Sequence, residues 1–222
     1  MNPPSLAVSE YAHGQTCQCH RHASRQALTR AGQTRYTEQI MEGKKAPLVR
    51  PQASEYAPYY EKYVSLVPGN DALSALEAQR LLMLQLFAAH SERDGNFRYA
   101  PDKWTVKEVV GHLNDCERIF AYRALCIARG DQAQLPGFEQ DDYVRAGGFT
   151  DRTLVGLGEE FAHIRSATIA LFRSLSKEAW QRRGTANKNE ISVRALAFII
   201  AGHELHHRLI LEERYFPAIP RA

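Results

Sequence analysis

SVRALAFIIAGHELHHRLILEERY, residues 192–215, is the stretch that decides how this chain folds. Val193, Leu196, Ile199, Ile200 and Ile210 recur along it at helical spacing, marking one apolar helix face. His203 and His207 are four residues apart, one turn, and project from that same face. Two histidines on the core side of a helix need compensation, because each buries a polar ring at a cost of roughly 1–3 kcal/mol. A third histidine, His112, sits in a second helical stretch, WTVKEVVGHLNDCERIF at 104–120. A divalent metal shared by His112, His203 and His207 would satisfy all three rings. Hydrogen-bonded core imidazoles are the other reading that spacing alone permits.

Working outward, four helical stretches are predicted, at about 71–92, 105–129, 150–176 and 191–215. Asp71 suits the first as an N-cap, after Gly69 and Asn70. Thr105 with Glu108 three residues on forms a capping box for the second, which Gly130 stops. The third carries Leu154, Leu157, Phe161, Ile164, Thr168, Leu171 and Leu175 at steps of three and four. The fourth has Ser192 near its start and ends before Pro217. Nothing between them alternates with period two over a useful length, so no strands are expected. The connection 130–149 is long enough for a crossover instead of a tight hairpin. The connection 176–190, with Trp180 and Asn187-Lys188-Asn189, has the length of a functional lid.

Composition sets the class. A chain of 222 residues, 44% hydrophobic and 24% charged, suits one well-buried globular domain. No apolar run approaches the ~20 residues that span a bilayer, and the first residues lack a secretory pattern, so a cytoplasmic protein is expected. The net charge of +3 is concentrated at one end: residues 1–50 hold seven Lys or Arg against three acids, leaving 21 bases and 22 acids elsewhere. A near-neutral body offers nucleic acid no electrostatic footprint. Cys116 and Cys126 fall in a helical pattern and read as small core residues.

Residues 1–45 differ from the rest. They have few large apolar side chains and no periodicity, and are expected to be a disordered extension before a domain over 46–222. Their CQCHRH run (Cys17, Cys19, His20, His22) lacks the second ligand cluster that a structural zinc site needs. Met41 stands just before the change in character, so residues 1–40 read as an over-extended start as readily as a native tail. From Pro47 to Pro68 the chain is rich in Pro and Tyr (Tyr56, Tyr59, Tyr60, Tyr63) and reads as an extended strap with a turn of helix.

The three histidines can meet. His112 lies ~10 Å into its helix and His207 ~12 Å from the end of the last, so antiparallel packing would set them level. Three imidazoles leave a coordination position open, the arrangement of catalytic sites, where a metal acidifies bound water and polarises a substrate. Asp115, three residues after His112, and Glu108, four before, are candidates to orient a ligand ring or take a proton; solvated-face and capping roles are their alternatives. His203-Glu204-Leu205-His206-His207 also satisfies H-E-x-x-H, the zincin protease signature with Glu204 as general base. Only fifteen residues follow His207, with no third zincin ligand among them.

The stretches RPQASEYAPYYEKYVSLVPG, KWTVKEVVGHLNDCERIFAYRAL, LPGFEQDDYV and SVRALAFIIAGHELHHRLILEERY resemble the DinB-like, or YfiT-like, family of metal-dependent bacterial enzymes, unrelated to the polymerase of similar name. The resemblance runs from about Arg50 to Phe216. It implies an all-α four-helix bundle of up-down-down-up topology, often dimeric. It also implies a metal on one histidine of the second helix and two of the fourth, which fall on His112, His203 and His207. Zn, Ni, Fe and Mn all suit imidazole ligands. Such relatives look like hydrolases of small molecules or amides, or S-transferases using a low-molecular-weight thiol; in either, the metal would activate the nucleophile. A thiol cosubstrate would need docking groups, for which Arg123, Arg208 and the 130–149 loop are candidates. A non-catalytic metal-binding module of stress response or assembly is the alternative function.

Overall fold

The computed structural model describes residues 49–220. The expected tail over 1–45 and its Cys17, Cys19, His20 and His22 lie outside the described residues. Four long helices carry the fold: α1 (Ala72–Ala88), α2 (Val106–Ala128), α3 (Leu154–Arg173) and α4 (Val193–Ile210), the last running on as one π-helical turn, Leu211–Tyr215. Their starts follow the capping chemistry of the sequence. Asp71 accepts the Ser74 N–H, and Ser192 accepts the Ala195 N–H. Thr105 and Glu108 exchange reciprocal bonds at the head of α2, leaving Glu108 occupied with its cap. Beyond α2, Gly130 turns the chain at φ +84°.

The bundle is up-down-down-up. Arg173 at the end of α3 pairs with Glu77 at the start of α1, while Phe87 at the end of α1 packs edge-on to Phe161 near the start of α3. These two helices are therefore antiparallel. Along α2, Asn114 reaches Leu157 and Glu117 reaches Arg165, both positions advancing together, so α2 and α3 run parallel. His112 of α2 meets His203 of α4, and α1 meets α4 through Gln79 and the Ala201 carbonyl. A parallel α2–α3 pair needs a crossover, which the long 130–149 connection supplies.

Contrary to the expectation of no strands, the two long connections contain a small sheet. β1 (Gln134–Leu135) pairs parallel with β2 (Arg183–Ala186), which forms a hairpin with β3 (Asn189–Ser192). The hairpin turns on Asn187 and Lys188, both left-handed at φ 48° and 63°. Strands of two to four residues are too short to show a period-two signal. The 130–149 connection also holds a helix, Gln140–Ala146, and the 176–190 connection another, Lys177–Gln181. Among the described residues no helix is long and apolar enough to cross a membrane.

The tyrosine-rich strap lies across α4. Arg50 donates to the carbonyls of Val64 (2.8 Å), Gly69 (2.9 Å) and Val67, folding the strap back on itself. Buried Glu55 ties it to the bundle by accepting from Ser192 (2.7 Å) and pairing with Arg194. Burial alone would raise the Glu55 carboxyl, but hydrogen bonds from Arg194, the Gln52 N–H and Ser192 together hold it below its ordinary 4.5. A depressed carboxyl stabilises fully above its unfolded value, and that contribution is lost as pH falls through the folded value. Stability of the wild type should therefore fall more steeply below pH 4.5 than that of Glu55→Gln, as urea midpoints measured against pH would show.

Candidate metal centre

Three imidazoles converge where α2 faces α4. His112 sits two turns into α2, and His203 and His207 sit on successive turns of α4, so each ring is carried by a regular helix. One ring nitrogen from each lies within 4.8 Å of the other two. The Nε2 atoms of His112 and His203 are 3.1 Å apart. Two nitrogens bound tetrahedrally to one ion at ~2.0–2.1 Å would be roughly 3.3 Å apart, so the spacing admits a shared cation as well as a direct N–H···N hydrogen bond.

Each of the two helices carries a glycine immediately before its first histidine, and the packing uses both. A Cβ on Gly202 would lie 2.0 Å from the Tyr63 carbonyl oxygen, and one on Gly111 would lie 2.3 Å from the Phe149 ring. The missing methyls let the strap and the 130–149 connection close directly over the histidine level. Gly202→Ala would have to push the strap backbone away. It is expected to cost at least about 2 kcal/mol, where Gly→Ala at an open helix site would stabilise, seen as a lower urea midpoint at unchanged m-value.

Aromatic rings enclose the triad. Trp104 packs on the His112 ring at 4.7 Å, and Tyr63 stands edge-on to His203 at 5.2 Å and to His206 at 5.3 Å. Burial drives the His112 pKa down to about 4. Burial, and then the neighbouring histidines, hold His203 and His207 well below the ordinary 6.5. All three are neutral at pH 7 and present lone pairs, the form that binds a metal. No carboxylate hydrogen-bonds them among the described residues, so a cation fits the donor set better than protonation does.

His112 and His203 open onto a cavity of about 300 Å³. Tyr59, Tyr60 and Tyr63 of the strap form one wall, and Cys116, Phe120 and Arg123 continue from His112 down one face of α2. Phe138, Glu139 and Gln140 from one long connection and Asn187 from the other complete its lining. The connection read as a crossover and the one with the length of a lid thus border the same cavity. The Cys116 sulfur is 3.5 Å from His112 Nδ1, and burial pushes its thiol strongly up, so it stays protonated.

The structure separates the other candidates. Arg123 reaches the cavity; Asp115, Glu204 and Arg208 do not line it. At about 3.6 residues per turn Asp115 points roughly 60° to one side of His112, away from the Cys116 side that lines the cavity, and Glu204 points roughly 100° from His203. Asp115 instead pairs with Arg118 (3.6 Å), which also pairs with Glu160 on α3. Glu204 faces the bundle interior beside Glu117 and Arg165, where burial lifts its carboxyl to about 7 against the pull of Arg165 and Arg208. Arg208 Nε stands 3.3 Å from Glu204 without hydrogen-bonding geometry, and its other end bonds Glu212. A zincin general base would have to face the open position, so the H-E-x-x-H match lacks its catalytic element. The tyrosines that wall the cavity are visible in the sequence only as strap packing. Their spacing in YYEKY gives no signal of a site.

The model of the DinB superfamily matches residues 75–211, and the chain belongs to that superfamily. Among solved structures it is similar to YfiT from Bacillus subtilis, described as a probable metal-dependent hydrolase with an unusual four-helix bundle topology. The two share 17% identity at a TM-score of 0.57, covering 73% of this chain and 89% of YfiT, which is a likeness of fold. No curated protein matches the chain.

Proposed function

We propose that this protein is a metal-dependent hydrolase acting on a small molecule, with His112, His203 and His207 as the ligands. The observation that carries the reading is the convergence of three neutral imidazoles within 4.8 Å, two of them at the floor of an open cavity. YfiT's description points the same way for a protein of the same fold. A divalent ion held there would supply Lewis acidity and lower the pKa of a water or thiol nucleophile. The protein's own part is to position and to exclude. Trp104 and Tyr63 fix the ring planes of His112 and His203, and the strap tyrosines with Phe120 keep bulk water from one side of the cavity. The Tyr60 phenol, kept protonated by burial, is placed in the cavity wall to donate a hydrogen bond.

Thiol S-transfer is the second reading, because a buried arginine lines the cavity away from the histidines, where the carboxylate of a low-molecular-weight thiol could dock. Steady-state turnover by metal-loaded protein on panels of amides, esters and thiol–electrophile pairs tests both. Hydrolysis without added thiol supports the first and a trapped thioether supports the second. No turnover, with metal bound, leaves a binding module and refutes both.

A further inference from the structure

Six charged residues are buried among the described residues: Glu55, Lys107, Glu117, Arg123, Arg165 and Glu204. Five have an opposite charge within ion-pair distance. Glu55 faces Arg194, Lys107 faces Glu92, Glu117 and Arg165 face each other, and Glu204 faces Arg208. Arg123, only 2% exposed, has none among the described residues. Its Nη2 donates to the Pro136 carbonyl at 2.6 Å, which orients the guanidinium without neutralising it. Glu139 lines the same cavity yet makes no ion pair with it. A buried, uncompensated guanidinium is costly unless something supplies the missing anion.

The surroundings define that anion's shape. The guanidinium carbon lies 5.7 Å from the Phe120 ring and 5.9 Å from the Phe138 ring, with the Tyr60 hydroxyl beside it. Phe120 in turn stands 6.0 Å from the His203 ring. One aromatic ring therefore bridges the gap between the guanidinium and the histidines. We propose that Arg123 is an anion receptor, so that the cavity selects small, elongated, carboxylate-bearing molecules. The carboxylate pairs with Arg123, an apolar or flat body lies along Phe120 and Tyr60, and the far end reaches the histidines. Arg123 thereby sets specificity. The position of the far end rests on the metal-site reading; the anion site does not.

The test compares 4-phenylbutanoate with 4-phenylbutanamide by isothermal titration on the full chain, once loaded with zinc and once after chelator treatment. A charge-assisted, bidentate contact should favour the carboxylate by at least about tenfold in both forms. Arg123→Gln should bring the ratio to about one, and Arg123→Lys should keep part of it, since a point charge remains without the fork. A carboxylate preference seen only with zinc and unchanged in Arg123→Gln would mean coordination at the histidines, and would overturn the assignment. Equal binding of the two probes by wild type, or binding of neither, would overturn it as well. Should Arg123→Gln fail to fold, the wild-type ratio after chelation still decides. That arm contains no ion, so failure of the histidines to take up metal leaves its outcome intact.

Discussion

His112→Ala is expected to lose tight metal uptake, falling from about one divalent ion per chain to background in elemental analysis of purified protein. Two ligands on α4 would remain, but they share one helix face and cannot enclose an ion without the ring from α2. The same substitution removes the contact between Trp104 and the histidine and leaves a void where the ring was packed, so some loss of stability is expected without metal. The informative quantity is therefore the metal-induced rise in melting temperature. Ligand linkage raises wild-type stability by about 2.7 kcal/mol at a hundredfold excess over Kd, and this increment should vanish in His112→Ala. A variant that keeps both its ion and its increment would remove the basis for the proposed chemistry.

Arg165→Met is expected to be the most destabilising single substitution. Arg165 is fully buried, and its guanidinium joins α3 to both α2 and α1. Nε and Nη2 donate to both carboxylate oxygens of Glu117 on α2 at 2.8–3.0 Å. Nη1 donates to Gln79 of α1 at 3.0 Å, and Gln79 donates onward to the Ala201 carbonyl of α4 at 2.8 Å. One side chain on α3 thus ties all four helices together. Its removal strands Glu117 and withdraws one of the two positive charges, with Arg208, that act on Glu204, whose carboxylate oxygens already lack hydrogen bonds. Breaking such a buried pair costs about 3–5 kcal/mol, whereas replacing both partners by apolar groups is often neutral. Urea unfolding should therefore show Arg165→Met far below wild type and Arg165→Met/Glu117→Met recovering much of the deficit.

Arg165 and Glu117 mark the limit of what is legible in the sequence. The histidines are legible because two imidazoles at i, i+4 on an apolar face both need compensation, which one shared ion would supply to both. The helix starts are legible because Asp71, Thr105 with Glu108, and Ser192 act on their own backbone. Arg165 is not. Its burial depends on Glu117, 48 positions away, and a lone arginine in a helical pattern reads as solvated until its partner is placed. Asp115 and Glu204 lie outside the cavity lining for a related reason: sequence spacing alone does not show which neighbour a side chain on or near the histidine face will take. The sheet escapes a sequence reading because its strands are shorter than one alternation can register. Gly111 and Gly202, each directly before a histidine, are readable in principle, but only the neighbouring strap and connection give them a reason.

Because β1 comes from one long connection and β2 from the other, the two rims of the cavity are latched to each other. Moving either rim outward alone would break the β1–β2 pairing. The Asn187 amide proton, bonded to the Leu135 carbonyl at 2.9 Å, sits at that latch. Its rate of deuterium uptake is a clock for how often the β1–β2 pairing opens.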